Sequence, residues 1–316
     1  MVNLIEPTGL SRRDVLVLLG AVGWSVTIRA QTSASPFEME LAKAIAADEF
    51  AHLGAFREKF EVFPGDQSRS QGGYRGRQSE RLISNSARSL IVACEVTNEA
   101  NYRSRLENPV WPGGQSGVTI GIGYDLGYTT ASTFRSDWGG LLPKNSVDRL
   151  AKCCGVTGKS AAQQAKEMQG NKVGWPESNT QFDAYLRYVV GQTEDTFQNC
   201  ADLKPDSFGA LVSLIYNRGA SLSKRSDRRR EMREIYDLML RRDFAAVPAQ
   251  IRKMTRIWEN DPQARGLLKR RELEALLFEQ GLKSYEVIPS SATASSTCSS
   301  KTVRICTGHD RGCWST

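Results

Sequence analysis

The sequence predicts a mainly α-helical fold carrying one small β-hairpin sheet, an α+β arrangement. Three observations point to it. Apolar residues recur at three- and four-residue spacing over most of residues 79–280, the period of helices with one buried face. One stretch breaks that period: in 116–125, Val118, Ile120 and Ile122 alternate with Thr119, Gly121 and Gly123, as in a strand, and the glycines weaken any helix there. Finally, 316 residues with 40% apolar and 24% charged content suffice for one substantial core plus an appendage.

At the N-terminus, Ser11-Arg12-Arg13-Asp14-Val15-Leu16 opens an apolar run to Val26, followed by small residues around Ala30 and Ala34. Residues 1–34 therefore look like a twin-arginine export peptide, with a charged start, a short apolar centre and a small-residue exit. About a dozen apolar residues fall short of a membrane span. An uncleaved anchor is the rival reading, opposed by Arg29. The expected localisation is exported, periplasmic or secreted, with membrane contact only through this segment.

Residues 36–75 read as a helical extension and linker. A helix runs from Phe37 through Phe50 and Phe56 and is expected to pack on the main body; a Gly-, Ser-, Gln- and Arg-rich linker follows over 64–78. The main domain spans 76–285. Its first helix, 79–95, presents Leu82, Ile83, Leu90, Ile91 and Cys94 on one face, with Arg81, Asn85 and Arg88 elsewhere on its surface. Trp111-Pro112-Gly113-Gly114 is a loop, after which the 116–125 strand enters a glycine-rich turn that lets another chain approach closely and can wall a cleft. Further helices are predicted over 147–154, 161–168, 179–200, 206–216, 228–241, 244–258 and 263–280. Residues 286–316 form a Ser/Thr-rich tail ending in Cys298, Cys306 and Cys313, disordered or tied by disulfides.

Seven cysteines leave at least one without an intrachain partner, and Cys94 and Cys154 are expected in the core as small hydrophobes. Cys153 and Cys154 are adjacent rather than spaced for zinc, and the only histidines are His52 and His309. No metal and no cofactor are expected, and a Cys-His amidase lacks a motif that would present its nucleophile. The net charge of +7 favours anionic polymers such as bacterial walls. Basic runs at Lys224-Arg225, Arg228-Arg229-Arg230 and Arg241-Arg242 could grip phosphate, but no nucleic-acid-binding pattern accompanies them. Glu231, Glu234 and Asp237 interleave as on a solvated helix face, so no nucleic-acid partner is expected.

Glu95 directly follows Cys94 and borders the apolar face of its helix. A carboxyl at such an edge loses solvation and keeps its proton near neutrality, as a general acid requires. Glu95, a buried Thr119 hydroxyl and Asp125 converging on a glycine-rich turn suit glycosidic bond hydrolysis. A solvated helix-end glutamate beside a structural hairpin is the plain alternative.

This arrangement resembles the phage-type lysozymes, glycoside hydrolase family 24, whose pattern runs from a helix-terminal Glu to a hairpin reading Thr-Ile-Gly-x-Gly. Here Glu95 precedes Thr119-Ile120-Gly121-Ile122-Gly123. The stretch 208–219, ending Asn217-Arg218-Gly219, is similar to the family's central core helix with its terminal Asn-x-Gly, and 266–274 is similar to its closing helix. The likeness covers about residues 76 to 282. It implies a lysozyme-like fold and a muramidase that cleaves between N-acetylmuramic acid and N-acetylglucosamine in peptidoglycan glycan strands.

One departure matters. The family's second acid lies six residues before the threonine, where this chain has Gly113; Asp125 instead lies six residues after Thr119, an order similar to that of pesticin-type toxins. Carried over on this resemblance, Glu95 protonates the leaving oxygen, Asp125 stabilises the oxocarbenium-like transition state or orients a water, and Thr119 holds that water. Glu107, in the loop before Pro109, competes for the second role. Tyr124 and Trp111 could stack on sugar faces as substrate-binding residues, or pack in the core. Two alternatives stand beside this reading: a catalytically inactive wall-binding or toxin module, kept open by Gly113, and a glycosidase of another amino-sugar polymer such as chitin. The sequence names no immunity or inhibitor partner.

Overall fold

Helix α8 (Pro205–Arg218) is the axis on which the other elements are hung. The computed structural model describes residues 34–50 and 75–283, and the chain divides into Met1–Ala34 and Ser35–Thr316. The export-like segment before Ala34, Phe56, most of the 64–78 linker, His52, His309 and the cysteine-bearing tail lie outside the described residues.

Pro205 pre-organises the first turn of α8 and Gly219, at φ +68°, ends it by returning its N–H to the Ile215 carbonyl. Every residue from 207 to 218 is buried, so this helix is enclosed on all sides. Around it lie α2 (Asn85–Val96), α7 (Trp175–Thr196) and α11 (Arg265–Lys283). Small residues set the distances: a Cβ on Gly209 would sit 2.2 Å from the Ala87 Cβ of α2, and one on Gly281 of α11 would sit 2.2 Å from Ser207 Oγ. No larger side chain fits either contact without separating the helices.

The N-terminal helix α1 (Pro36–Ala46) opens with a reciprocal capping box between Ser35 and Glu38. It packs on the body through Phe37, Leu41 and Ala44, while Lys269 of α11 reaches Glu40 at 2.5 Å. The helix stops at Ala46 rather than continuing through Phe50, although Phe50 is itself buried. The start of α2 also differs from expectation: the helix begins at Asn85, capped by Ser84, not at Ser79. Residues 75–84 form an extended strap instead. Ser79 N–H bonds the Arg187 carbonyl, Arg81 donates to the Cys200 and Leu203 carbonyls at 2.8 and 2.9 Å, and Arg77 pairs with Glu194 and Asp195. Leu82, expected on the apolar face, is consequently 82% exposed.

A second core forms under the hairpin from Val118, Ile120, Leu126, Phe134, Trp138 and Leu150. It unites β1 (Thr119–Ile120) and β2 (Tyr124–Asp125) with α4 (Ala131–Trp138), α5 (Lys144–Leu150) and α6 (Gly158–Glu167). Helix α4 has no clear periodic signal, because its eight residues hold only Phe134 and Trp138 as large apolar groups. Cys153 lies in this core, and Cys154, expected there too, is only half-buried against it. Between α2 and the hairpin, α3 (Glu99–Asn101) runs into a π-helical turn, Tyr102–Leu106, that the sequence did not announce. Its Tyr102 is fully buried and donates to the Val173 carbonyl at 2.8 Å beside Ser178 Oγ, fixing the start of α7.

Toward the C-terminus, α7 spans 22 residues, roughly 33 Å at 1.5 Å per residue. It is followed after α8 by α9 (Arg230–Arg241) and α10 (Val247–Lys253). The predicted 244–258 helix is three pieces, because 3₁₀ turns flank α10 on both sides. The basic run is not a uniformly solvated face: Arg229 is buried and donates to the Arg218 carbonyl at 2.8 Å, and Glu231 is buried against Arg256 at 2.6 Å. Among the described residues no helix is long and apolar enough to cross a membrane.

Candidate active site

Glu95 sits in the last turn of α2, where Leu90, Ile91 and Cys94 turn into the core and drag the neighbouring carboxyl inward. Its side chain is 5% exposed and accepts from Arg270 Nη1 at 3.3 Å. Burial disfavours the charged carboxylate and the guanidinium favours it, so two opposed influences act on this proton. The turn that follows is strained: Thr97 has φ +64° and ψ −64°, and Asn98 N–H closes on the Val96 carbonyl at 2.8 Å, a rare left-handed γ-turn around a β-branched residue. Such strain persists only where the surroundings over-determine it, and it concentrates at functional sites.

Arg270 belongs to a buried quartet. Its Nε is 3.1 Å from Glu274 Oε1, and Arg271 Nε is 2.9 Å from Glu274 Oε2. Ser213 Oγ of α8 donates to Glu274 Oε1 at 2.7 Å, Arg270 also bonds the Ser213 carbonyl at 3.1 Å, and Arg271 bonds Asn217 Oδ1 at 3.0 Å. Burial works against the Arg270 charge, but the neighbouring Glu274 and Glu95 carboxyl groups hold its pKa above the ordinary arginine value. The Cys94 thiol is pushed up to about 12, chiefly by burial, and stays protonated.

Thr119 and Asp125 face each other as register partners of the antiparallel hairpin. Directly opposed residues share one face of the ladder, which brings these two side chains together although six positions separate them. Asp125 Oδ1 accepts from the N–H groups of Gly117 and Gly127, each at 2.9 Å. Glycine is required at both: a Cβ on Gly117 would lie 2.2 Å from Gly127 N and 2.5 Å from Asp125 Oδ1. Asp125, 7% exposed, thus braces the hairpin as well as lying in it. Thr119 Oγ1 lies 3.5 Å from the Gly117 carbonyl.

The hairpin tip joins the two halves. Gly121 (φ +56°) turns the chain so that Ile122 leaves the sheet and enters the main core, correcting the expectation of a strand through Ile122. There Tyr216 of α8 donates to the Ile122 carbonyl at 3.2 Å. Ser213, Tyr216 and Asn217 are three and four residues apart on one face of α8. That single face holds the quartet gripping Glu95 and the tip of the hairpin bearing Thr119 and Asp125.

The other expected residues fall elsewhere. Tyr124 is a core residue rather than a sugar platform: it is 8% exposed, its ring meets Trp138 edge-on at 5.6 Å, and its hydroxyl donates to Asp137 at 2.6 Å. Burial, then the Asp137 charge, pushes its pKa up. Trp111 is half-buried, its indole N–H bonded to the Ser116 carbonyl at 3.0 Å in the loop whose Gly113 and Gly114 both have positive φ. Glu107 pairs with Arg103 at 3.6 Å and Lys172 at 3.5 Å. Arg270, Arg271, Glu274 and Ser213 are not singled out as site residues by the sequence, since the contacts that join them run between α8 and α11. Among the described residues no group of three or more His, Cys, Asp or Glu side chains is arranged to hold a metal ion.

A family model described as a domain of unknown function, DUF8812, matches residues 90–193, from just before Glu95 through the hairpin lobe into α7. No curated protein matches the chain.

Proposed function

We propose that the chain is a lysozyme-like peptidoglycan hydrolase of the phage-type kind, a muramidase cleaving between N-acetylmuramic acid and N-acetylglucosamine. One observation carries the reading: a buried, helix-terminal carboxyl, Glu95, is held on the same face of α8 as the hairpin that bears Thr119 and Asp125. Glu95 donates its proton to the glycosidic oxygen as the bond to the anomeric carbon breaks. Asp125 is the anionic companion that stabilises the oxocarbenium-like transition state or orients the incoming water, and Thr119 holds that water through its hydroxyl. The order Glu, Thr, Asp follows the resemblance to pesticin-type toxins, and the basic chain suits an anionic wall. An exported, periplasmic or secreted location, given the twin-arginine-like start, would put the enzyme beside that substrate.

The test is clearance of a suspension of purified peptidoglycan, with product analysis for muramic acid reducing ends. Wild type clears it; Glu95→Gln, isosteric and still able to accept from Arg270, folds and loses clearance by at least about 10²-fold. Equal clearance by both overturns the assignment, and cleavage of chitin alone redirects it to another amino-sugar polymer. A second reading, a wall-binding module without catalysis, is favoured by the engagement of Asp125 Oδ1 with two backbone amides. It is upheld if wild type pellets with the wall and releases no product.

A further inference from the structure

A general acid beside a fully buried guanidinium poses a difficulty. Arg270 alone would hold Glu95 ionised, and an ionised Glu95 has no proton to give. The far side of Arg270 supplies an answer, because its Nε is paired to Glu274, a carboxylate with no exposed surface that is also held by Arg271 and Ser213. On the proposed muramidase reading, we infer that Glu274 is a positioning residue: it takes up the Arg270 and Arg271 charges and so sets the protonation state in which Glu95 meets the substrate.

The charged groups on the elements packed near Glu95 sign the effect, and on the proposed reading the hairpin adds the Asp125 carboxylate, which all the variants compared retain. Helix α11 presents Arg270, Arg271 and Glu274. Helix α2 adds Cys94, which burial keeps as a thiol. From α8 come the neutral Ser213 and Asn217, with Arg218 beyond the Trp258 ring that Arg271 also approaches. Helix α1 carries Glu40 and Lys43, Glu40 being joined to Lys269, and past the strained turn Glu99 is paired with Arg103. Removing the Glu274 charge leaves the Arg270 and Arg271 guanidiniums without their shared carboxylate and favours the ionised form of Glu95 beside Arg270. Removing the Arg271 charge does the opposite.

The test uses the full chain and compares wild type, Glu274→Gln and Arg271→Gln. Two quantities are read: the alkaline limb of the pH profile for wall clearance, and the titration midpoint of the Glu95 carboxyl followed by carbon-13 NMR. Glu274→Gln is expected to move both downward by about one pH unit, and Arg271→Gln to move both upward, within the range that neighbouring charges produce. A folded variant with lower activity but an unmoved limb and midpoint overturns the inference, since a merely structural Glu274 would behave that way. Shifts of the same sign in the two variants overturn it as well. If one variant does not fold, the sign of the other decides. If wild type clears no wall, the muramidase reading fails by itself, while the NMR midpoints still report whether Glu274 governs the Glu95 proton.

Discussion

Replacing Asp125 with alanine separates bracing from chemistry. The carboxylate Oδ1 is the acceptor for two backbone donors, Gly117 N–H and Gly127 N–H at 2.9 Å each, and both donors lie in a stretch, 116–127, whose residues are all buried. Alanine leaves the two amides with no acceptor from position 125. An orphaned buried donor costs about 1–3 kcal/mol, so the pair costs about 2–6 kcal/mol. For a body of this size each kcal/mol moves Tm by about 2–4 °C, which predicts a drop of roughly 4–24 °C. Asp125→Asn keeps an oxygen where Oδ1 lies and exchanges charge-assisted bonds for neutral ones of about half the strength, a loss of about 2 kcal/mol. Thermal unfolding by circular dichroism and urea midpoints measure both. An alanine variant within about 0.5 kcal/mol of wild type would mean that the carboxylate does not hold the hairpin, against the minimum penalty for an orphaned amide. The asparagine variant then speaks to mechanism: a folded variant that loses no more than about 2 kcal/mol yet loses clearance assigns Asp125 a part in catalysis, whereas retained clearance leaves it a brace.

Gly117→Ala is expected to cost about 3 kcal/mol or more by urea unfolding, because its new Cβ meets Gly127 backbone at 2.2 Å where neither strand can retreat; a near-neutral result would refute that close approach. Thr97→Gly relieves a positive-φ strain of about 1–3 kcal/mol against a glycine entropy cost of about 0.5–1 kcal/mol, so its urea midpoint should not fall, and a loss above about 1 kcal/mol would show that the threonine contacts outweigh the strain. Lys269→Met tests the α1 clasp by pH. The Lys269 hydrogen bond and charge lower the Glu40 pKa, so the pair stabilises the fold fully above the ordinary glutamate pKa of about 4.3 and loses that contribution as pH falls through the lower folded value. Wild type should therefore exceed the variant in stability at neutral pH and converge with it in acid; a gap that persists in acid would assign the effect to packing.

Local chemistry explains what was legible in advance. The long helices α7 and α11 were readable because each buries an apolar stripe whose 3.6-residue period is written in consecutive residues, and α8 because it is a long apolar run opened by Pro205 and closed by Gly219; the ends of all three differ from expectation by only a few positions. The hairpin was readable from its glycines. Glu95 stands out at the edge of a helix face, and Thr119 and Asp125 are singled out by the resemblance of their hairpin and its Glu, Thr, Asp order to phage-type lysozymes and pesticin-type toxins.

What the tertiary structure decided depends on partners distant in the chain. The six residues from Ser79 to Ser84 look helical, yet the carbonyls of Arg187, Cys200 and Leu203, more than a hundred residues away, draw them into an extended strap. Tyr124 became core because Trp138 and Asp137 meet it, and local sequence cannot tell a stacking platform from a packed ring. The charge on Arg270 is buried, which nothing local to its helix announces. Its cost is offset by carboxylates from α2 and from its own helix and by a hydroxyl and carbonyl of α8. Periodicity is a property of neighbours along the chain and so survives in the sequence, whereas the electrostatic setting of a buried group is a sum over neighbours in space, which exist only once the helices have closed on one another.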